Sequence, residues 1–204
     1  MDAQELDITI MGVDPALKKT GLCLLNPNEK FVVFERAMFE ESMDNNDYQN
    51  IFERVVKMRD VVKVFSAMYD PDVIAVETPL PQGQMASGCS AVSSVLIAEM
   101  QSWNKPIYGF HPSFLRYVVG SASYKHSQIT ELALDILGKE KYTYNVKRFS
   151  ADEAVAFLMA YRICVKNKLT KAVNDKFETS KEFLFKGVIK WQAEDNLQRS
   201  NAQM

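Results

Sequence analysis

Three acidic residues sit where a fold would need a reason to put them. Asp14 ends the branched apolar run in ITIMGVDPALKKTG, just before a proline turn and the pair Thr20-Gly21. Glu77 ends a second apolar run, DVIAVETP. An apolar strand that delivers a carboxylate at its end takes a charge toward a buried layer, which is costly unless a metal or a partner neutralises it. Two such strands ending side by side point to a divalent cation held by oxygen ligands. Asp152 is the third acid, two residues after Ser150 and just before the run AVAFLMAYRICV. Each acid also has a plainer explanation. Asp14 before a proline is a turn-forming residue, and an acid in the first turn of a helix gains about 0.3 to 1 kcal/mol from the helix dipole.

Composition narrows the classes. The chain has 204 residues, 47% hydrophobic and 25% charged, enough for one well-buried domain and an appendage. No run of about 18 apolar residues marks a membrane span. The start MDAQELD is acidic where a secretory signal is basic and then apolar, so a cytoplasmic protein is expected. Cys23, Cys89 and Cys164 lack the spacing of a zinc site or a disulfide framework, and with only His111 and His126 a histidine-rich centre is not expected either. A net charge of −2 conceals an uneven split, −8 over residues 1–104 and +6 over residues 105–204. The basic part is the candidate for meeting an anionic partner.

The elements that must position the acids follow from periodicity. Strands are expected around Ile8–Asp14, Thr20–Leu25 and Lys30–Phe39, joined by short Asn, Pro and Gly turns into an antiparallel meander. Ile51, Val55, Met58, Val62, Phe65 and Tyr69 recur at helical spacing and predict an amphipathic helix lying across the sheet. DVIAV after that helix is then a parallel strand closing a crossover. A helix over Ser90–Trp103, rich in small residues, and a fifth strand over Lys105–Phe110 come next. Pro112 opens a helix that carries Arg116, and a loop with Lys125 and His126 leads into Ile129, Leu132, Ala133, Ile136 and Leu137 at helical spacing. Ser150 and Glu153 form the pattern of a capping box at the start of the last helix. The sum is an α/β layout: a mixed five-stranded sheet, three antiparallel strands plus two parallel, flanked by helices.

The ordered set GVDPALKKTG, AVETP, HPSFLRYVVG followed by KHSQ, and ADEAVAFLMA resembles the RuvC family of Holliday-junction resolvases, of the RNase H-like superfamily, over about residues 6–166. A divergent bacterial or phage-type member would have this form. The resemblance implies Asp14 and Glu77 on adjacent strand ends and Asp152 from the final helix as metal ligands, with Glu153 as an additional candidate. It implies Arg116 and Lys125 at basic active-site positions. It further implies Mg2+ or Mn2+, two ions per site, and a homodimer that nicks four-way DNA in the cytoplasm of a bacterial cell or a phage-infected host. No membrane and no nucleotide cofactor enter.

The chemistry of the residues is compatible with that. Three clustered carboxylates can hold two hard cations about 3.5 to 4 Å apart, one for the attacking water and one for the leaving oxygen. Arg116, with Lys125 or His126, suits the charge that develops on the phosphate, though plain phosphate contact or a solvated surface explains them as well. One departure stands out: the family's last helix carries two acids three residues apart, and here Val155 occupies the second position. Asp152 alone, Asp152 with Glu153, a shifted alignment, or a junction-binding protein that does not cut are all consistent with this. As the N3 half of a capping box Glu153 would be structural, and Glu153→Gln would change stability little. A sugar-kinase-like ATPase also places Asp before Thr-Gly after a strand, but it needs a second phosphate loop, and none is evident.

Residues 167–204 lie beyond the resemblance and form a basic, aromatic extension. Lysines there alternate with Phe177, Phe183, Phe185 and Trp191, and a short helix or hairpin is expected, with the aromatics serving the core more readily than stacking on bases.

Overall fold

A computed structural model describes residues 8–39, 48–78, 86–121, 123–170 and 176–177. The meander forms as the alternation requires: β1 (Ile10–Asp14), β2 (Lys19–Asn26) and β3 (Phe31–Met38) pair antiparallel in sequence. The amphipathic helix α1 (Tyr48–Tyr69) then crosses over and returns the chain as β4 (Val73–Glu77), parallel to β1. Helix α2 (Ala86–Gln101) leads to β5 (Ile107–Phe110), parallel to β4. Helices α3 (Ser113–Val119) and α4 (His126–Lys139), the short strand β6 (Thr143–Tyr144) and helix α5 (Ala151–Lys166) complete the order. Among the described residues the sheet runs β5-β4-β1-β2-β3-β6. The sixth strand is an addition to the five expected. It pairs with Phe31 and Val32 only, two residues too short to leave a period in the sequence.

Both faces of the sheet are covered, and this explains why β1 and β4 read as continuous apolar runs rather than alternating ones. Met11, Val13, Leu22, Leu24, Ile74 and Val76 point to one side, where Val55, Met58, Val62 and Phe65 of α1 and Val92, Leu96 and Met100 of α2 meet them. Ile10, Cys23, Leu25, Phe34, Ala75 and Phe110 point to the other, under α3, α4 and α5. Helix α5 is buried from Glu153 to Val165, on every side of the helix, so it behaves as a core element and not as a surface one. Phe157 and Tyr161 on it are fully buried, and each such side chain contributes about 1.5 to 3 kcal/mol by leaving water.

Phe177 extends that core. It is fully buried, with its ring 5.2 Å from Tyr161 and 6.4 Å from Phe114. The helix or hairpin expected in the C-terminal extension, with Phe183, Phe185 and Trp191, lies outside the described residues. Cys23 and Cys164 are free, and burial pushes both thiols up, so they serve as small apolar residues. No helix among the described residues is long and apolar enough to cross a membrane.

Candidate active site

Strand parity builds the site. Ile10 and Gly12 on β1 face α5, and so therefore does Asp14, because side chains alternate with a period of two. On β4, Ala75 shares that face and Glu77 follows it. The register Val13↔Val76 continues to set Asp14 beside Glu77, Asp14 pairs with Gly21, and Gly21 with Arg36. One row across the α5 side of the sheet thus reads Glu77, Asp14, Gly21, Arg36. The turn after Asp14 is closed by Thr20, whose hydroxyl donates to the Ala16 carbonyl at 3.0 Å and accepts from the Ala16 amide at 3.2 Å.

Asp14 and Glu77 end neighbouring parallel strands on the same face, near enough for the charge of each to act on the other. Burial holds the Asp14 carboxyl well above the usual carboxylate range, and the negative charges of Glu77 and Asp152 raise it further. Glu77 is also raised, by burial, against the lowering effect of its hydrogen bond to Asp14. Among the described residues no ion pair balances these two carboxyls, so both hold a proton more readily than an ordinary carboxylate.

Helix α5 brings the third acid to this pair because two glycines let it land directly on the sheet. A Cβ at Gly12 would collide with the Ala156 backbone, and one at Gly21 with the backbone of Asp152 and Glu153. No side chain fits between helix and strand there, and the first turn of α5 is pressed over the strand position opposite Asp14. Ser150 caps the helix with the expected box: its amide donates to Glu153 Oε2 at 2.7 Å, and its hydroxyl donates to Asp152 Oδ2 at 3.2 Å. Asp152, about a quarter exposed, also pairs with Lys19 Nζ at 3.2 Å. Glu153 turns the other way. Arg36 reaches its Oε2 from Nη2 at 2.7 Å and Nε at 3.1 Å, and the carboxylate is 4% exposed.

The basic candidates lie on the neighbouring elements. Thr78 is pinned to the end of β5 by its amide and hydroxyl, both donating to the Phe110 carbonyl at 2.8 and 3.1 Å. Helix α3 therefore starts next to Glu77. Arg116 on α3 is exposed and makes no ion pair among the described residues, and its charge is felt at Tyr124 together with those of Glu77 and Asp14. Lys125 is exposed at the N-cap of α4, and His126 is exposed at its first position. No contact of either with the three acids is seen among the described residues. Val155 is in the apolar core beneath α5, so no ligand arises at that position.

Lys19, Arg36, Gly12, Gly21 and Tyr124 belong to this region and were not singled out by residue type. Parity was the available signal: Lys19 and Arg36 share a face with Gly21, Cys23 and Phe34, though nothing local says that the start of α5 covers them.

The residues suit a divalent cation. Among the described residues no group of three or more His, Cys, Asp or Glu side chains is drawn together as a ready cage. The donors are all carboxylate oxygens, the set hard cations prefer, and the raised pKa of Asp14 and Glu77 marks a place where a cation would relieve unbalanced negative charge.

No family model and no curated protein matches the chain. Solved structures do. A Thermus thermophilus RuvC in complex with Holliday-junction substrate matches at 14% identity, over 79% of this chain and 96% of that one, with a TM-score of 0.58. A second Thermus thermophilus RuvC structure matches at 15% identity over 81% and 98%, with a TM-score of 0.56. The yeast mitochondrial Holliday-junction resolvase Ydc2 matches at 12% identity over 76% and 78%, with a TM-score of 0.52. With its mixed sheet flanked by helices, this chain shares the fold of these junction-resolvase structures, which is RNase H-like.

Proposed function

We propose that the chain is a metal-dependent endonuclease that resolves four-way DNA junctions. The observation that carries this is the Asp14–Glu77 pair, two carboxyls at adjacent strand ends, desolvated without a cation and facing the helix start that supplies Asp152. Asp14, Glu77 and Asp152 would hold magnesium or manganese, two ions in the fullest version of the site. When bound, such ions activate water near neutral pH and neutralise charge on the phosphate. Glu153 is left out of the ligand set, since Arg36 and the Ser150 amide already engage it, and its work is to fix the angle of α5.

The chain's own residues do the rest. Lys19 holds the Asp152 carboxylate toward the sheet and offsets part of the negative charge that an incoming phosphate meets. Arg116, exposed on α3 and in no ion pair among the described residues, suits a phosphate oxygen. Lys125 and the basic second part of the chain suit the DNA backbone away from the cut, where each contact releases counterions. A four-way junction is two-fold symmetric, and a second copy of this chain would match it. The helix layer α1–α2 is the proposed contact, where Phe52, Val64 and Met68 are more than half exposed and Val95 is partly exposed. Sedimentation equilibrium should give a dimer, and a monomer on the junction would refute the pairing.

The test is a synthetic four-way junction with magnesium or manganese. Paired nicks near the branch point, absent on linear duplex of the same sequence, are expected. Tight junction binding with no cleavage in either metal would make the chain a junction-binding protein, as Val155 in place of a second helix acid would then signify.

A further inference from the structure

The segment between β6 and α5 is tied at both ends to one residue of β3. Beyond the two pairings of β6, Phe31↔Thr143 and Val32↔Tyr144, the Asn145 side chain takes over from the backbone. Its Oδ1 accepts from the Phe34 amide at 2.8 Å, and its Nδ2 donates to the Phe34 carbonyl at 3.1 Å. At the other end the Phe149 ring stacks on the Phe34 ring with centroids 4.4 Å apart, and Tyr144 meets Phe149 edge-on at 6.1 Å. Val146 packs against the same core. Lys147 and Arg148 therefore stand on a short stretch whose two ends are fixed.

Both residues are exposed, and neither is in an ion pair among the described residues. The other cations on this flank are engaged: Lys19 with Asp152, Arg36 with Glu153 and Lys30 with Glu140. The stretch Asn145–Phe149 holds no acid of its own. Two adjacent like charges fixed without a counter-charge suit a partner that brings one.

The loop ends beside the row of the acids. The Ser150 amide and Arg36 Nη2 reach the same oxygen, Glu153 Oε2, each at 2.7 Å. The row Glu77, Asp14, Gly21, Arg36 thus continues outward into this loop, about three strand spacings or about 14 Å from Asp14. Arg116 lies on the other flank, on the helix that follows β5 at the opposite edge of the sheet.

We propose that Lys147 and Arg148 bind backbone phosphates of the DNA arm that leaves the active site across the β3 edge, about four nucleotides from the cut at about 3.4 Å per nucleotide. This rests on the nuclease function proposed above and adds the path of the substrate on one side of the site. A loop that served only to join β6 to α5 would need the Asn145 and Phe149 anchors but neither charge.

The double variant Lys147→Gln, Arg148→Gln removes both charges and leaves the anchors. Four-way junction binding, measured in calcium between about 50 and 200 mM salt, should weaken about 10-fold, and the slope of log affinity against log salt should shrink by about 1.8. Lys147→Arg with Arg148→Lys keeps both charges and should keep the wild-type slope. Junctions with single uncharged methylphosphonate linkages supply the position. One such linkage about three to five nucleotides from the cut should weaken wild-type binding and leave the double variant unaffected. An unchanged salt slope in the double variant, or the same methylphosphonate profile as the wild type, overturns the assignment and leaves the nuclease function standing. A wild type that binds the junction but cuts it in neither magnesium nor manganese defeats the nuclease function, while slope and profile still decide this assignment. A wild type that binds no junction defeats both.

Discussion

Two carboxylates from neighbouring positions of the fold, Glu153, which is buried, and Asp14, which is half-buried, are treated in opposite ways. Glu153 is sealed, but Arg36 and the Ser150 amide place three hydrogen bonds on one of its oxygens. Asp14 has no ion pair among the described residues, and after burial the charges of Glu77 and Asp152 raise its pKa. A carboxylate given its donors within the chain is a structural tie. One buried beside more carboxylates is destabilised until something cationic arrives. The difference distinguishes the two kinds of acid on α5 and the sheet without reference to which of them any other protein uses.

Removing the unbalanced side should have the largest effect. Asp14→Asn or Glu77→Gln is expected to lower junction cleavage by more than about 1,000-fold while leaving binding equal or tighter, since a ligand and a repulsive charge go together. Gel shift and single-turnover rates on one junction check both halves. Asp152→Asn should cost about 100-fold in rate and melt near the wild type, because its ion pair with Lys19 is partly exposed and worth little.

Glu153→Gln probes the balanced side and should invert that pattern. Cleavage should hold within a few-fold while stability falls by about 1 to 3 kcal/mol, measured by urea unfolding. This is larger than the capping box alone suggests. The amide still accepts from Ser150, but Arg36 loses its counter-charge in a nearly closed site.

A smaller effect concerns pH. Carboxyls whose pKa is raised by folding bind more protons folded than unfolded, between the ordinary carboxylate range and the raised value. Across that window their contribution to stability is lost as pH rises. The metal-free wild type should therefore gain on Asp14→Asn as the pH is lowered from neutral toward about 5, and Asp14→Asn should be the better-melting protein at neutral pH. Melting curves at several pH values check the crossing.

Much of this site could be read in advance because its acids terminate elements. Asp14 and Glu77 stand where apolar runs stop, and Asp152 follows a serine that pairs with Glu153 across a helix start. The remainder depends on contacts between elements far apart in sequence. Arg36 is 117 residues from Glu153, and on its own strand it looks like a solvated residue. Gly12 and Gly21 read as small strand residues until α5 is laid across them. The two-residue β6 was invisible for the same reason: its place is set by Lys30 and Phe34, which lie more than a hundred residues earlier.

In the metal-free protein Asp14 and Glu77 are expected to hold a proton that a bound cation displaces. Calorimetric titration of magnesium or manganese into the DNA-free protein at about pH 6, in two buffers of different ionisation enthalpy, tests it most directly. Binding that releases protons in the wild type and in Glu153→Gln, and that is lost in Glu77→Gln, is the expected result. Heats that do not depend on the buffer, or equal binding by Glu77→Gln and the wild type, would contradict the account.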